Sequence, residues 1–487
     1  MNNKELKSLD LLFKPRNIAI FEAKYKLSYF IKGFKKQGFK TDNLYLISPT
    51  EAEIYDIKCY KTIEEVPADT IDLFILAVRR EILVQTIKKI LSIKKVNFFH
   101  IFTAGTGESD EIGSQIEEEI KEILDNKEIN TRAIGPNCMG VYCPKGHNAY
   151  HFLFPIESGN IASVFHSGDL HTKLIKFGFL RYGLKFSKGA SIGNCVDLQM
   201  SDILEYYNQD EETNIICVYF EGFSRFHKEE GKKLFSVLKH MKKPVLFMNG
   251  GTTKRSQTAV LSHTGSIATK QNIWDAIIKQ TPTIEVETSL EQMIDYAYMF
   301  NHFFSDKRNQ EKLNKELIFP KGKNTLVILW SGGFGILATD SLTKLGLNMP
   351  LFEGKIKEKL MEIYPIKIGS YSNPLDLPWI VYIDAFYEIS KVAISENIDL
   401  VIIETDTPGK FGGQWFQGYF KNLIRIKDYV HSLNKILIII LHEYPDEDRQ
   451  IFYKMLKENG FLIYPTIQRA AKAYLALYEY GQKRKIL

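Results

Sequence analysis

The chain has 487 residues, of which 45% are hydrophobic and 25% charged, and a net charge of +5. That balance is the one of an ordinary globular protein, and the charge is too mild to point to a nucleic-acid partner. At roughly 100–200 residues per domain, the length predicts about three domains. Lysine-rich stretches such as "KGFKKQGFK" (32–40) read as solvated helix faces. Five scattered cysteines, Cys59, Cys138, Cys143, Cys195 and Cys217, form no C-x-x-C pair. This argues for a reducing compartment rather than a disulfide framework. The opening stretch carries no sustained apolar segment, and "ILIII" (436–440) is strand-sized. The expectation is a cytoplasmic protein with no signal peptide and no membrane contact.

Short apolar runs alternate with amphipathic stretches along the chain, the pattern of α/β units with parallel sheets. Strands are predicted at "NIAIFE" (17–22), "LYLIS" (44–48), "DLFILAV" (72–78), "NFFHIFTA" (97–104) and "TRAIG" (131–135), with helices at 80–92 and 113–126. A second set follows at "NIASVFHSG" (160–168), "NIICVYFEG" (214–222) and "PVLFMNGG" (244–251), with helices at 201–210 and 227–241. The polar stretch 305–324 reads as a linker. Beyond it, "TLVILW" (325–330), "DLVIIET" (399–405) and "ILIIIL" (436–441) begin a third unit that ends on a helix at 467–484. The expected fold is therefore α/β in three domains. A Rossmann-like domain occupies 1–145, and a second domain 146–304. A linker at 305–323 leads to a third domain at 324–487.

Several turns on this frame are able to carry chemistry. In "FHSGDL" (165–170), Ser167 and Gly168 stand where a strand gives way to a helix. They either cap that helix or offer its free N–H groups to an anion. "SIGNCVD" (191–197) places Gly193 and Asn194 in a tight turn. "WSGGFGILATD" (330–340) lacks both the G-x-G-x-x-G spacing and a Walker lysine, and reads as close strand–helix packing. Glu221 ends an apolar strand, either facing solvent or accepting the N–H of a histidine. "AVLSHTGSIATK" (259–270) surrounds His263 with small residues. Such a histidine suits a surface loop that caps a helix, and equally a nucleophile that carries phosphate.

Taken together these segments resemble the α subunit of NDP-forming acyl-CoA synthetases, the ADP-forming relatives of succinyl-CoA synthetase. The landmarks are "RAIGPNCMGVYCP" (132–144), "SIGNCVDLQMSDILEYYNQDEETNIICVYFEGF" (191–223), "KPVLFMNGGTTKRSQTAVLSHTGSIA" (243–268), "SGGFGILATDSLTKLGL" (331–347) and "YSNPLDLP" (371–378). The resemblance runs over nearly the whole chain. It implies a CoA-binding first domain followed by two flavodoxin-like, succinyl-CoA-synthetase-type domains. It also implies a reaction, acid + ATP + CoA giving acyl-CoA, ADP and phosphate, through an acyl phosphate and a phosphohistidine. His263 matches the phosphorylated residue and Glu221 the carboxylate that orients it. Ser167, Gly168, Gly193, Asn194, Thr264 and Gly265 match the phosphate site. Ser48, Pro49, Val78, Thr103, Ala104, Gly105 and Asn137 match the CoA site. No ATP-grasp segment is present. The resemblance therefore places ATP or ADP, and Mg²⁺, on an ATP-grasp β subunit, in an α₂β₂ assembly that takes a small carboxylic acid and CoA. No metal ligand set is expected on this chain.

The chain departs from that pattern in places. The family's glycine-rich CoA loop reads "IFEAKYKLSYFIKGF" here, with Glu22 where the first glycine belongs; a carboxylate facing a CoA phosphate would repel it. The N-P turn carries Ser48 for asparagine, "AVRR" (77–80) replaces V-P, and "FTAGTGES" (102–109) keeps only the outline of S-A-G-F-x-E. The S-Q-S-G turn has become Phe165-His166-Ser167-Gly168, followed by Asp169, and Thr252 stands where a basic residue is usual. Two other readings follow: the same phosphohistidine chemistry with an acceptor other than CoA, and a non-catalytic paralogue with a structural or regulatory role.

Overall fold

A computed structural model describes residues 3–21, 28–256, 271–287, 289–306, 317–365, 369–378, 383–395, 397–405, 414–443 and 446–486. Glu22, His263, Thr264 and Gly265 lie outside the described residues, as do 307–316 within the expected linker. The chain divides into two compact units, one running to Asn301 and one from His302 to Lys485. Among the described residues, the first contains two sheets and the second contains one.

The first sheet is built from β1 (Ile18–Phe21), β2 (Leu44–Ile47), β3 (Glu53–Ile54), β4 (Ile57–Tyr60), β5 (Thr70–Leu76), β6 (Lys95–Ile101) and β7 (Arg132–Ile134). Their order is β3-β4-β2-β1-β5-β6-β7, parallel except for the β3–β4 pair. Parallel strands covered on both faces read as unbroken apolar runs, and β5 is buried from Ile71 to Leu76. The helix Arg80–Ile93 lays Leu83, Ile87 and Ile90 on that sheet, a spacing of four and three that keeps one stripe inward. Asp110 caps the helix Glu111–Leu124 by accepting from Gly113 N.

The second sheet contains β8 (Gly140–Cys143), β9 (Asn148–Ala149), β10 (Ile161–Phe165), β11 (Phe186–Ser191), β12 (Ile215–Phe220), β13 (Val245–Asn249) and β14 (Ile284–Glu285). Its order is β14-β13-β12-β10-β11-β8-β9, with β8 antiparallel to both β11 and β9. Strands on either side of residue 145 thus already belong to this second sheet. β11, "FSKGAS", buries Lys188 completely, and Asp210 at 2.8 Å neutralises its ammonium. The two sheets are tied by the segment after β11. Gly135 N donates to Ile192 O, Asn194 N to Pro136 O, Val196 N to Gly135 O and Leu198 N to Ala133 O. Asp197 accepts from Arg132 Nε and from Ala133 N at 2.7 Å, so a charged pair locks the same crossing.

Glu230, almost fully buried, accepts from Ser201 N at 3.0 Å and Ser201 Oγ at 2.8 Å, holding the start of the helix Met200–Gln209. Burial raises its carboxyl to about 7, against the pull of the Ser201 hydrogen bonds. The folded state therefore binds this proton more tightly than the unfolded chain does. Its contribution to stability is complete below the ordinary carboxylate range and is lost as pH rises through about 7. Glu230→Gln removes that slope. Relative to the parent, the variant gains on the order of 2–3 kcal/mol between pH 4 and pH 8, measured by denaturant titration at both pH values.

The second unit contains β15 (Thr325–Leu329), β16 (Ser370–Tyr371), β17 (Leu375–Asp376), β18 (Leu400–Thr405), β19 (Ile436–Leu441) and β20 (Leu462–Tyr464), ordered β16-β17-β15-β18-β19-β20. Two residues separate β15 from the helix Gly332–Lys344, and a Cβ added at Gly335 would meet Leu329 and Pro374 at ordinary van der Waals distance, 3.6 Å. All five cysteines are buried free thiols. No described helix is long and apolar enough to cross a membrane.

Candidate functional site

In an open parallel sheet, ligands bind beyond the carboxyl ends of the strands where the winding direction reverses. Chain order reverses between β1 and β5 in the first sheet and between β10 and β12 in the second. Residues just past β5, β6, β10 and β11 enclose a single cavity of about 510 Å³ within the first unit. Its wall comprises Ala77 to Arg80, Phe102 to Ala104, Asn137 to Met139, His166 to Asp169, Gly193 and Asn194.

Most of the residues marked out in the sequence converge there. Val78, Thr103, Ala104 and Asn137, expected for CoA, line the cavity together with Ser167, Gly168, Gly193 and Asn194, expected for phosphate. Thr103 Oγ1 donates to Val78 O at 2.8 Å, and Asn137 N donates to Thr103 O at 2.9 Å, so the CoA-side loops brace one another. Gly105 follows Ala104 with φ +82° and gives its N–H to Glu108 at 2.6 Å. Ser48 and Pro49 do not line the cavity. Ser48 closes the turn after β2, accepting from Glu51 N at 3.2 Å, while Pro49 is exposed.

On the phosphate side, Ser167 caps the helix Gly168–Tyr182, with Oγ accepting from Leu170 N at 3.4 Å. Gly168 admits the Met139 side chain, which a Cβ would meet at 2.2 Å. Gly193 adopts φ +59°, a left-handed conformation, and a Cβ there would lie 2.2 Å from Pro136 O. The turn it permits aims Asn194 at two carboxylates. Its Nδ2 donates to Glu108 Oε2 at 2.6 Å and Glu117 Oε1 at 2.8 Å. Burial raises Glu117, while the hydrogen bonds from Asn194 and Thr106 pull the other way. Asp169, in the first helical turn, pairs with Lys173 at 2.6 Å and is largely exposed.

Glu221 lies one residue beyond β12 and is buried. Burial and the Glu221 charge, with which it shares a hydrogen bond, hold the Tyr219 phenol protonated. Glu221 N donates to Nδ1 of His166 at 3.2 Å, joining the ends of β10 and β12. Sequence reasoning noticed His166 only as a departure from a motif; its burial and its place at the reversal between β10 and β12 appear only in three dimensions. Of the two arginines of "AVRR", Arg80 is taken up by Asp110 at 2.9 Å and by Gly105 O. Arg79 is exposed on the cavity wall. Among the described residues no three His, Cys, Asp or Glu side chains cluster as metal ligands.

This arrangement offers a helix start, a tight glycine turn and the exposed Arg79 around one space that receives loops from two sheets. Comparison with known proteins gives it a class. The sequence pattern of a family described as "CoA binding domain" matches residues 23–144, and that of "Succinyl-CoA ligase like flavodoxin domain" matches 158–300. The chain is 29% identical over 485 residues to the acetate–CoA ligase [ADP-forming] II subunit alpha of Pyrococcus furiosus, covering 98% of each. It is 33% identical over 372 residues to the acetate–CoA ligase [ADP-forming] of Methanocaldococcus jannaschii, covering 74% of this chain but 48% of that protein. In fold it is similar to a dinucleotide forming acetyl-coenzyme A synthetase 1 of Ca. Korarchaeum cryptofilum, with a TM-score of 0.77 at 24% identity over 98% and 97% of the chains. The chain is thus related from end to end to the α subunits of ADP-forming acetate–CoA ligases.

Proposed function

We propose that this chain is the α subunit of an ADP-forming acyl-CoA synthetase, which joins a small carboxylic acid to CoA as ATP becomes ADP and phosphate. One observation carries the reading: CoA-side and phosphate-side residues from two separate sheets line one cavity, with Glu221 behind its wall. In this reading His263 takes the phosphoryl group from ATP. The acid's carboxylate attacks phosphorus, the N–P bond breaks, and an acyl phosphate forms. CoA thiolate then attacks the acyl carbon and phosphate leaves. Glu221 holds the His263 ring by accepting its N–H, which leaves the other nitrogen to carry phosphorus. Ser167, Gly168, Gly193, Asn194, Thr264 and Gly265 surround the transferring phosphate. N–H groups at the start of the helix Gly168–Tyr182 meet its charge, and phosphoryl transfer needs little beyond such positioning and neutralisation. In this reading Val78, Thr103, Ala104 and Asn137 line the CoA side, with Gly105 next to Ala104, and Ser48 and Pro49 at the end of β2 complete the set.

ATP and Mg²⁺ belong in this reading to an ATP-grasp β subunit, in an α₂β₂ assembly working in the cytoplasm. Two of the comparisons favour a divided enzyme. The Pyrococcus furiosus relative is named a subunit and matches this chain in length, whereas the chain spans about half of the Methanocaldococcus jannaschii protein. The test is ADP release from the chain mixed with an ATP-grasp partner, ATP, CoA and a panel of short acids. The reading expects ADP formation that needs the acid, CoA and both proteins together. ADP formation that needs an acid but ignores CoA would favour a different acyl acceptor. No acid-dependent ADP with a competent partner would contradict both.

A further inference from the structure

His166 stands where the related pattern carries glutamine, and it is 6% exposed. Three contacts hold the residue, two of them on its ring. Its backbone N–H donates to Tyr219 O at 3.1 Å, its Nδ1 accepts from Glu221 N at 3.2 Å, and the ring lies 5.1 Å from that of Phe220. A backbone N–H can only donate, so Nδ1 carries no proton, and the proton of the neutral imidazole sits on Nε2. Burial lowers the group to about 4, which keeps it uncharged at neutral pH. Nε2–H has no hydrogen-bond partner among the described residues, yet His166 lines the cavity beside Ser167 and Gly168. A donor in this position, with its tautomer imposed by the neighbouring strand, lacks only an acceptor.

We propose that His166 is a substrate-binding residue, whose Nε2–H donates to an oxygen of the phosphate or acyl phosphate held at the start of the helix Gly168–Tyr182. The assignment rests on the proposed reaction for the identity of the anion. The donor is neutral and cannot titrate away near neutrality. It grips the oxyanion without adding a positive charge that would hold the phosphoryl group back from transfer. The same ring bonds to Glu221 N, so an anion drawn to Nε2 is registered against the residue proposed to orient His263.

Two substitutions separate this role from a structural one. His166→Asn keeps an acceptor near the position of Nδ1, so the bond from Glu221 N survives while the inward donor is lost. His166→Gln places an amide N–H near the position of Nε2 and gives up the bond to Glu221 N. The full-length chain is titrated with inorganic phosphate and with acetyl phosphate, without partner, nucleotide or CoA, and melting curves confirm that each variant is folded. The proposal expects His166→Asn to weaken both anions about tenfold and His166→Gln to stay within about threefold of the parent. Nitrogen NMR of the parent should find the proton on Nε2. Unchanged binding in His166→Asn, a loss confined to His166→Gln, or a proton on Nδ1 would each overturn it. Binding is read without turnover, so a chain that fails as a ligase but shows this pattern disposes of the proposed reaction and leaves the donor in place.

Discussion

On the proposed mechanism, His263→Asn is expected to abolish turnover in the complete assembly, lowering kcat by about 10³-fold or more, because asparagine has no nitrogen able to carry a phosphoryl group. The loss falls on chemistry rather than on folding or assembly. The expected melting temperature of the variant is within about 2 °C of the parent's, the outcome of a loss confined to chemistry. Steady-state ADP release together with a melting curve checks both halves of this expectation. A variant that retains more than a tenth of the parent rate would show that the phosphoryl group reaches the acid by another route.

Gly193→Ala produces the second large effect, this time through the backbone. The residue is held at φ +59°, and the added Cβ would sit 2.2 Å from a carbonyl oxygen, which has no flexible end to swing aside. The left-handed conformation alone costs an alanine about 1 kcal/mol, and relieving the overlap requires the segment 192–198 to move off Pro136. The expected loss is about 2–4 kcal/mol, seen as a melting temperature lower by about 4–8 °C. Activity falls by more than the stability change explains, because Asn194 swings away from Glu108 and Glu117 and the cavity wall opens. Differential scanning calorimetry and ADP release at 25 °C measure the two effects separately. A variant unchanged in both would contradict the turn described here.

How much of this was legible in the sequence depended on how each element is buried. Central parallel strands advertise themselves: "DLFILAV", "NIICVYFEG" and "ILIIIL" mark β5, β12 and β19 to within a few residues, since both faces of such a strand must be apolar. β11 escaped notice because "FSKGAS" carries a lysine and a glycine. Lys188 is tolerated in the interior only through Asp210 and Glu212, which are 22 and 24 positions further along the chain. The two-residue strands β3, β9, β14, β16 and β17 are too short for any periodicity to register. β8 and β20, at four and three residues, are hardly better placed.

The site follows the same logic. Ser167-Gly168 was visible as small residues at an expected strand end, and Gly193-Asn194 as a tight turn. Their convergence on one cavity depends on how two sheets are joined, through Asp197 and the pairing of 192–198 with 133–136, and no local pattern encodes that. The tautomer of His166 depends on a backbone N–H that is 55 residues away in the chain. Ser48 and Pro49, which motif position assigns to the CoA site, lie outside the cavity wall.

The central claim is that a histidine of this chain carries phosphate between a nucleotide and an acid. It is tested most directly by incubating the complete assembly with ATP labelled at the γ-phosphate and then digesting and mapping the label. The account predicts label that is stable to base and lost in acid, on the peptide containing His263, and discharged when acid and CoA are added together. An assembly that turns over while this peptide stays unlabelled, or that holds its label on another residue, would contradict it.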